Sequence, residues 1–116
     1  MKVTIYHNPR CSKSRQTLAL LQERGIEPEV VEYLRTPPSK TRLKTLVRML
    51  GLKPRELMRH KEAPYQELGL DDDSLKNDAL IAAMVENPVL IERPIVVCGE
   101  RAAIGRPPEA VLDILT

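Results

Sequence analysis

Two short apolar runs with a single helical stretch between them constrain this chain more than any other feature. Val3-Thr4-Ile5-Tyr6 is β-branched and aromatic and stops at an Asn8-Pro9 turn. Glu29-Val30-Val31-Glu32-Tyr33 reads as a second strand. Between them the pattern predicts a helix from about Ser12 to Arg24, stopped by Gly25 at the C′ position. Two strands joined by one helix form a βαβ unit, which is right-handed and parallel almost without exception. The fold class is therefore α/β.

The rest of the chain falls into two stretches. Thr36-Pro37-Pro38-Ser39 is a break followed by an N-cap, after which Leu43, Leu46, Val47 and Leu50 form one apolar helical stripe closed by Gly51. A short helix is expected at about Pro54 to Met58. Residues 61–73 are polar and irregular, and their three consecutive aspartates read as a solvated surface turn. Leu80, Ile81, Met84 and Val85 then predict a helix over about Asn77 to Glu86, ended by Pro88. Ile95-Val96-Val97-Cys98 is a buried strand by its continuous apolar run. Gly99-Glu100 fits a two-residue hairpin turn, and Arg101 to Ile104 is the returning strand. Arg106-Pro107-Pro108-Glu109 starts a last helix with Val111, Leu112 and Leu115 inward. The order is βαβ, a helical insert at about 39–87, then ββα, in a single domain over residues 1–116. That is the thioredoxin-like arrangement, a mixed sheet flanked by helices, with Pro94 where such a fold carries a cis-proline facing its active cysteine.

Composition excludes several classes of function. There is no Phe or Trp and there are three Tyr, so the core must be built from Leu, Ile, Val, Ala and Met. A net charge of +2 is too small for the concentrated basic stripe that nucleic acid requires. The N-terminus has no secretory h-region, and the longest apolar run, Ala79 to Val85, is too short to span a bilayer. Cys11 and Cys98 form no disulfide framework, and with His7 and His60 they show no metal-ligand spacing. A cytoplasmic globular protein is expected, without nucleic acid or membrane partners and with no metal, whose cysteine chemistry is redox or nucleophilic.

Cys11 lies between a strand end and a helix N-terminus, among unpaired backbone N–H groups. Such a setting lowers a thiol pKa from about 8.5 into the range of roughly 3.5–7.5, and the same N–H groups bind anions. His7, four residues upstream, could stabilise a thiolate as an imidazolium or take its proton as an imidazole. Ser14, one helical turn on, could hydrogen-bond its hydroxyl back to sulfur, and Lys13 and Arg15 add positive charge. These neighbours favour a reactive, anion-facing thiol over a small buried residue at a turn.

Three motifs together, His7-Asn8-Pro9-x-Cys11-x-x-Ser14-Arg15-x-Thr17-Leu18, Glu92-Arg93-Pro94-Ile95-Val96-Val97 and Arg106-Pro107-Pro108-Glu109, resemble the glutaredoxin-coupled arsenate reductase (ArsC) family over essentially the whole chain. The chain looks like the shorter, uncharacterised branch of that family. The resemblance implies a catalytic Cys11 whose pKa is lowered by His7 and Ser14, and an oxyanion held by Arg59, Arg93 and Arg106. Guanidinium suits an oxyanion because it offers planar, often bidentate N–H pairs and keeps its proton. Arg93 precedes Pro94 and Arg106 stands at a helix start, whereas Arg59 rests on the resemblance. The implied reaction is reduction of arsenate to arsenite through a Cys11 adduct. Glutathione acts as co-substrate with glutaredoxin as partner, no cofactor is bound, and the protein is a monomer.

An outside thiol is consistent with the residues, because serine stands at position 14 where a dithiol oxidoreductase has its second cysteine. Cys98, four strand residues past Pro94, is expected roughly 13 Å away, whereas bridged Cα atoms lie within about 7 Å. Ser12 and Lys13 depart from the Gly-Thr of the well-known reductases. This leaves two alternatives: a glutathione-linked thiol oxidoreductase with another substrate, or a non-enzymatic redox or transcription regulator. The phosphatase-like class needs an arginine where Thr17 stands.

Overall fold

The computed structural model describes residues 2–115. The chain divides into two compact units, one formed by the described residues up to Thr36 together with those from Arg93 onward, the other by residues 37–92. The second unit is a little wider at each end than the expected helical insert.

The first unit is built on a four-stranded sheet in the order β2-β1-β3-β4, formed by β1 (Val3–His7), β2 (Glu29–Glu32), β3 (Ile95–Cys98) and β4 (Arg101–Ile104). β1 runs parallel to β2, with Thr4 opposite Glu29 and His7 opposite Glu32. It runs antiparallel to β3, with Val3 opposite Cys98 and Tyr6 opposite Ile95. The hairpin from β3 to β4 closes at Cys98 and Arg101, and Gly99 takes the left-handed φ of 62° that so tight a turn favours. The sheet is therefore mixed and the fold thioredoxin-like.

Strand periodicity sorts the side chains. Val3 and Ile5 of β1 join Val96 and Cys98 of β3 in one buried cluster with Leu21, Val111 and Ile114. Leu21 comes from helix α1 (Ser12–Glu23), which ends in a Schellman motif. Ile26 N–H donates to Leu21 O and Gly25 N–H to Gln22 O, both at 3.0 Å, and Ile26 packs against the same cluster.

The C-terminal element differs from the expectation of an α-helix. It is a 3₁₀ helix over Pro108–Ile114. Three residues per turn place Pro108, Val111 and Ile114 on the buried ridge. Leu112 and Leu115, expected inward at α-helical spacing, are half-buried. The Arg93–Pro94 bond is cis, as the arrangement led us to expect, and so is Arg106–Pro107.

The second unit is helical. In α2 (Lys40–Leu50), Ser39 Oγ accepts a 3.0 Å bond from Arg42 N–H, and Gly51 closes the helix in the left-handed region. α2 and the short α3 (Pro54–Leu57) both pack against α5 (Asn77–Glu86). A 3₁₀ turn over Pro88–Leu90 follows, and Met58 bridges to Ile91 in antiparallel fashion. The segment expected to be irregular contains a helix, α4 (Ala63–Glu67), with Tyr65 buried. What orders it is Arg55, which donates to Tyr65 Oη and Asp72 O, both at 2.9 Å, and to Leu70 O. The three aspartates that follow are exposed. No helix among the described residues is long and apolar enough to cross a membrane.

Candidate functional site

The turn between β1 and α1 is held by its own polar groups. Asn8 O accepts from Cys11 N–H and Asn8 Oδ1 from Arg10 N–H, each at 3.0 Å. Arg15 reaches back to donate to Pro9 O at 2.9 Å. Cys11 occupies the N-cap position with extended backbone (φ −92°, ψ 123°), so its side chain stands at the open end of the helix.

Four donors meet at the half-buried Cys11 sulfur. They are the backbone N–H groups of Ser14 and Lys13, the guanidinium of Arg93, and Arg106 Nη2 at 3.5 Å. Burial pushes the thiol pKa up. The Ser14 amide, the Arg93 hydrogen bond, the Lys13 amide and the positive charge of Arg93 outweigh it, leaving the thiol below its ordinary value. Arg106 is aimed by a second bond, from its Nε to Arg93 O at 2.8 Å.

His7 and Ser14 lie beside this centre in a different arrangement from the one expected. The Ser14 side chain is fully buried, and its Oγ sits 2.6 Å from His7 Nδ1 and 3.0 Å from Asn8 N–H. Ser14 therefore meets the sulfur through its amide, while its hydroxyl ties the helix start to β1. Burial lowers the His7 pKa, with Arg15 acting in the same direction and Glu32 against it. Burial thus favours the neutral imidazole over the imidazolium at this position. Ser14 Oγ accepts from Asn8 N–H and shares a second hydrogen bond with His7 Nδ1.

Arg93 and Arg106 face Cys11 directly. Arg59 belongs to the helical unit, where its Nη1 pairs with Glu92 Oε1 at 2.7 Å and its Nε with Glu62 Oε1 at 3.3 Å. Cys98 lies opposite Val3, at the far end of β1 from Cys11, in agreement with the strand arithmetic.

Gly105 was not singled out from the sequence, whereas Asn8 was read as part of the turn and Thr17 as part of the motif, neither with a role at the thiol. Thr17 is fully buried in α1, and its hydroxyl donates to Lys13 O at 2.8 Å. The one available signal for Gly105 was its position, a glycine between the end of a predicted strand and Arg106-Pro107.

The ArsC family model matches residues 6–114. The chain is 61% identical over 115 residues to the uncharacterized protein YfgD of Escherichia coli (strain K12), covering 98% of this chain and 97% of that one. It is 52% identical over 115 residues to an arsenate reductase of Neisseria meningitidis (serogroup A), covering 98% of each. Among solved structures, an arsenate reductase from Vibrio cholerae superposes with a TM-score of 0.97 at 60% identity, covering 99% of this chain and 98% of that one.

Proposed function

The chain belongs to the ArsC family, and we propose on that footing that it is an arsenate reductase of the glutathione- and glutaredoxin-coupled kind, working in the cytosol as a monomer. The observation that carries the proposal is the convergence of two backbone amides and two guanidinium groups on one half-buried sulfur. Donors that hold a thiolate before the reaction can hold arsenate oxygens when the substrate arrives, so nucleophile and anion share one electrostatic environment.

In the proposed sequence the Cys11 thiolate attacks arsenic, forming an S–As bond while one As–O bond breaks and its oxygen leaves as water. Glutathione then places a second sulfur on arsenic, with loss of another water. A glutaredoxin thiolate takes that glutathione as a mixed disulfide. The As–S electron pair stays behind and reduces As(V) to As(III), and water releases arsenite and Cys11. Arg93 and Arg106 orient the oxyanion, with Arg59 as a third contributor implied by the family. Serine at position 14, with its hydroxyl engaged by His7, is consistent with the resolving thiol coming from outside. The same residue counts against a two-cysteine regulatory switch.

The test is arsenite production by the purified protein from arsenate, glutathione and glutaredoxin. We expect turnover that is abolished in Cys11→Ser. Arsenite formation no faster than in Cys11→Ser would overturn the assignment and leave a mixed disulfide as the substrate to try.

A further inference from the structure

Gly105 is buried and has no left-handed φ, so its backbone conformation does not require glycine. Space does. A Cβ built at Gly105 collides with Thr17 Oγ1 and lies 2.9 Å from Pro94 Cγ and 3.0 Å from Thr17 Cγ2. None of these atoms yields easily. Thr17 is fully buried, β-branched and tied by its hydroxyl to Lys13 O, and Pro94 is a buried ring. The glycine is also pinned from its own side, because Gly105 N–H donates to Pro94 O at 2.9 Å.

Each of the three segments that meet here brings one part of the thiol environment. α1, through Thr17, carries the Lys13 and Ser14 amides. Pro94 follows Arg93. Gly105 precedes Arg106, whose Nε returns to Arg93 O. We infer that Gly105 is a positioning residue for the Cys11 site: its missing side chain lets α1, Pro94 and the exit of β4 cross closely enough to bring two amides and two guanidinium groups onto one sulfur. It touches neither substrate nor sulfur and acts through Arg93, Arg106 and the start of α1. The inference extends the proposed reductase but requires no arsenate chemistry, since it concerns the thiol alone.

The measurement is the rate of Cys11 alkylation by iodoacetamide against pH, in a Cys98→Ala background. Gly105→Ala should raise the midpoint by about one unit and slow alkylation about tenfold at pH values below both midpoints. Adding Thr17→Ala removes two of the three crowded atoms, and this double variant should move the midpoint back toward the parent. The double variant also serves if Gly105→Ala alone fails to fold, because relief by Thr17→Ala would then appear as recovered folding with a low midpoint. A Gly105→Ala midpoint equal to the parent's overturns the inference. So does a raised midpoint that Thr17→Ala leaves unmoved, or a folded double variant whose midpoint is that of a free cysteine. A parent midpoint at or above about 8.5 would instead sink the thiolate on which the proposed reductase rests, so the two failures are distinguishable.

Discussion

Arginine does different work in the two units. In the sheet unit Arg93 and Arg106 turn their guanidinium groups to a sulfur atom, and Arg106 also bonds the Arg93 carbonyl. In the helical unit Arg55 is held by a phenol and two carbonyls. The same side chain organises a reactive centre in one place and a loop in the other. What separates them is the acceptor each is offered. A thiolate exchanges its donors readily with an incoming anion, whereas backbone carbonyls and a tyrosine hydroxyl are permanent parts of the fold.

Substitutions that leave charge and remove geometry, or remove both, can break that contrast. The largest effect is expected at Arg93. Arg93→Ala should lose roughly 1.5–3 kcal/mol of transition-state stabilisation, read as kcat/KM for arsenate, and Arg93→Lys should recover only part. Full activity in the lysine variant would show that charge alone suffices and that the planar fork is incidental.

Arg55→Ala should act in the opposite sense. We expect a stability loss of about 1–3 kcal/mol in urea denaturation with no change in the Cys11 alkylation profile. A shifted thiol profile in that variant would erase the distinction drawn between the two sets of arginines.

The smallest effect sharpens the role of His7. Its folded-state pKa is lowered by burial, so folding favours the neutral ring. The resulting contribution to stability is present above the unfolded value near 6.5 and is lost as pH falls through the lowered folded value. His7→Asn has no such titration, so the stability difference between parent and variant should shrink or reverse on acidification below about pH 6.5. A constant difference across that range would mean that folding leaves the His7 pKa unshifted, and a difference that grew on acidification would mean that the fold favours the protonated ring.

Much of this was legible in the sequence because it depended on local spacing. Gly25 and Gly51 mark helix ends, Ser39 marks a start, and the apolar runs mark β1 and β3. The strand arithmetic likewise separates Cys98 from Cys11. The remaining features depended on contacts distant in the chain. α4 is ordered by an arginine eight to twelve positions before it, which no window of polar residues reveals. The C-terminal helix has an apolar residue at 3₁₀ spacing as well as at α spacing, and packing of Val111 and Ile114 against the sheet decided between them. The direction of the Ser14 hydroxyl was set by His7 and Asn8, which lie behind the cysteine rather than beside its sulfur. Gly105 was illegible for a simpler reason: the space it leaves empty belongs to Thr17 and Pro94.

β1 is an interior strand, bonded to β2 on one side and β3 on the other, and the thiol turn continues directly from its last residue. Backbone amides in such a strand exchange with solvent only through the rarest openings of a domain, whereas edge strands and termini open often. The nucleophile is thus mounted directly beyond an interior strand rather than an edge. Slow amide exchange at Ile5 and Tyr6 relative to the edge strand β4 is the expected solution signature of that mounting.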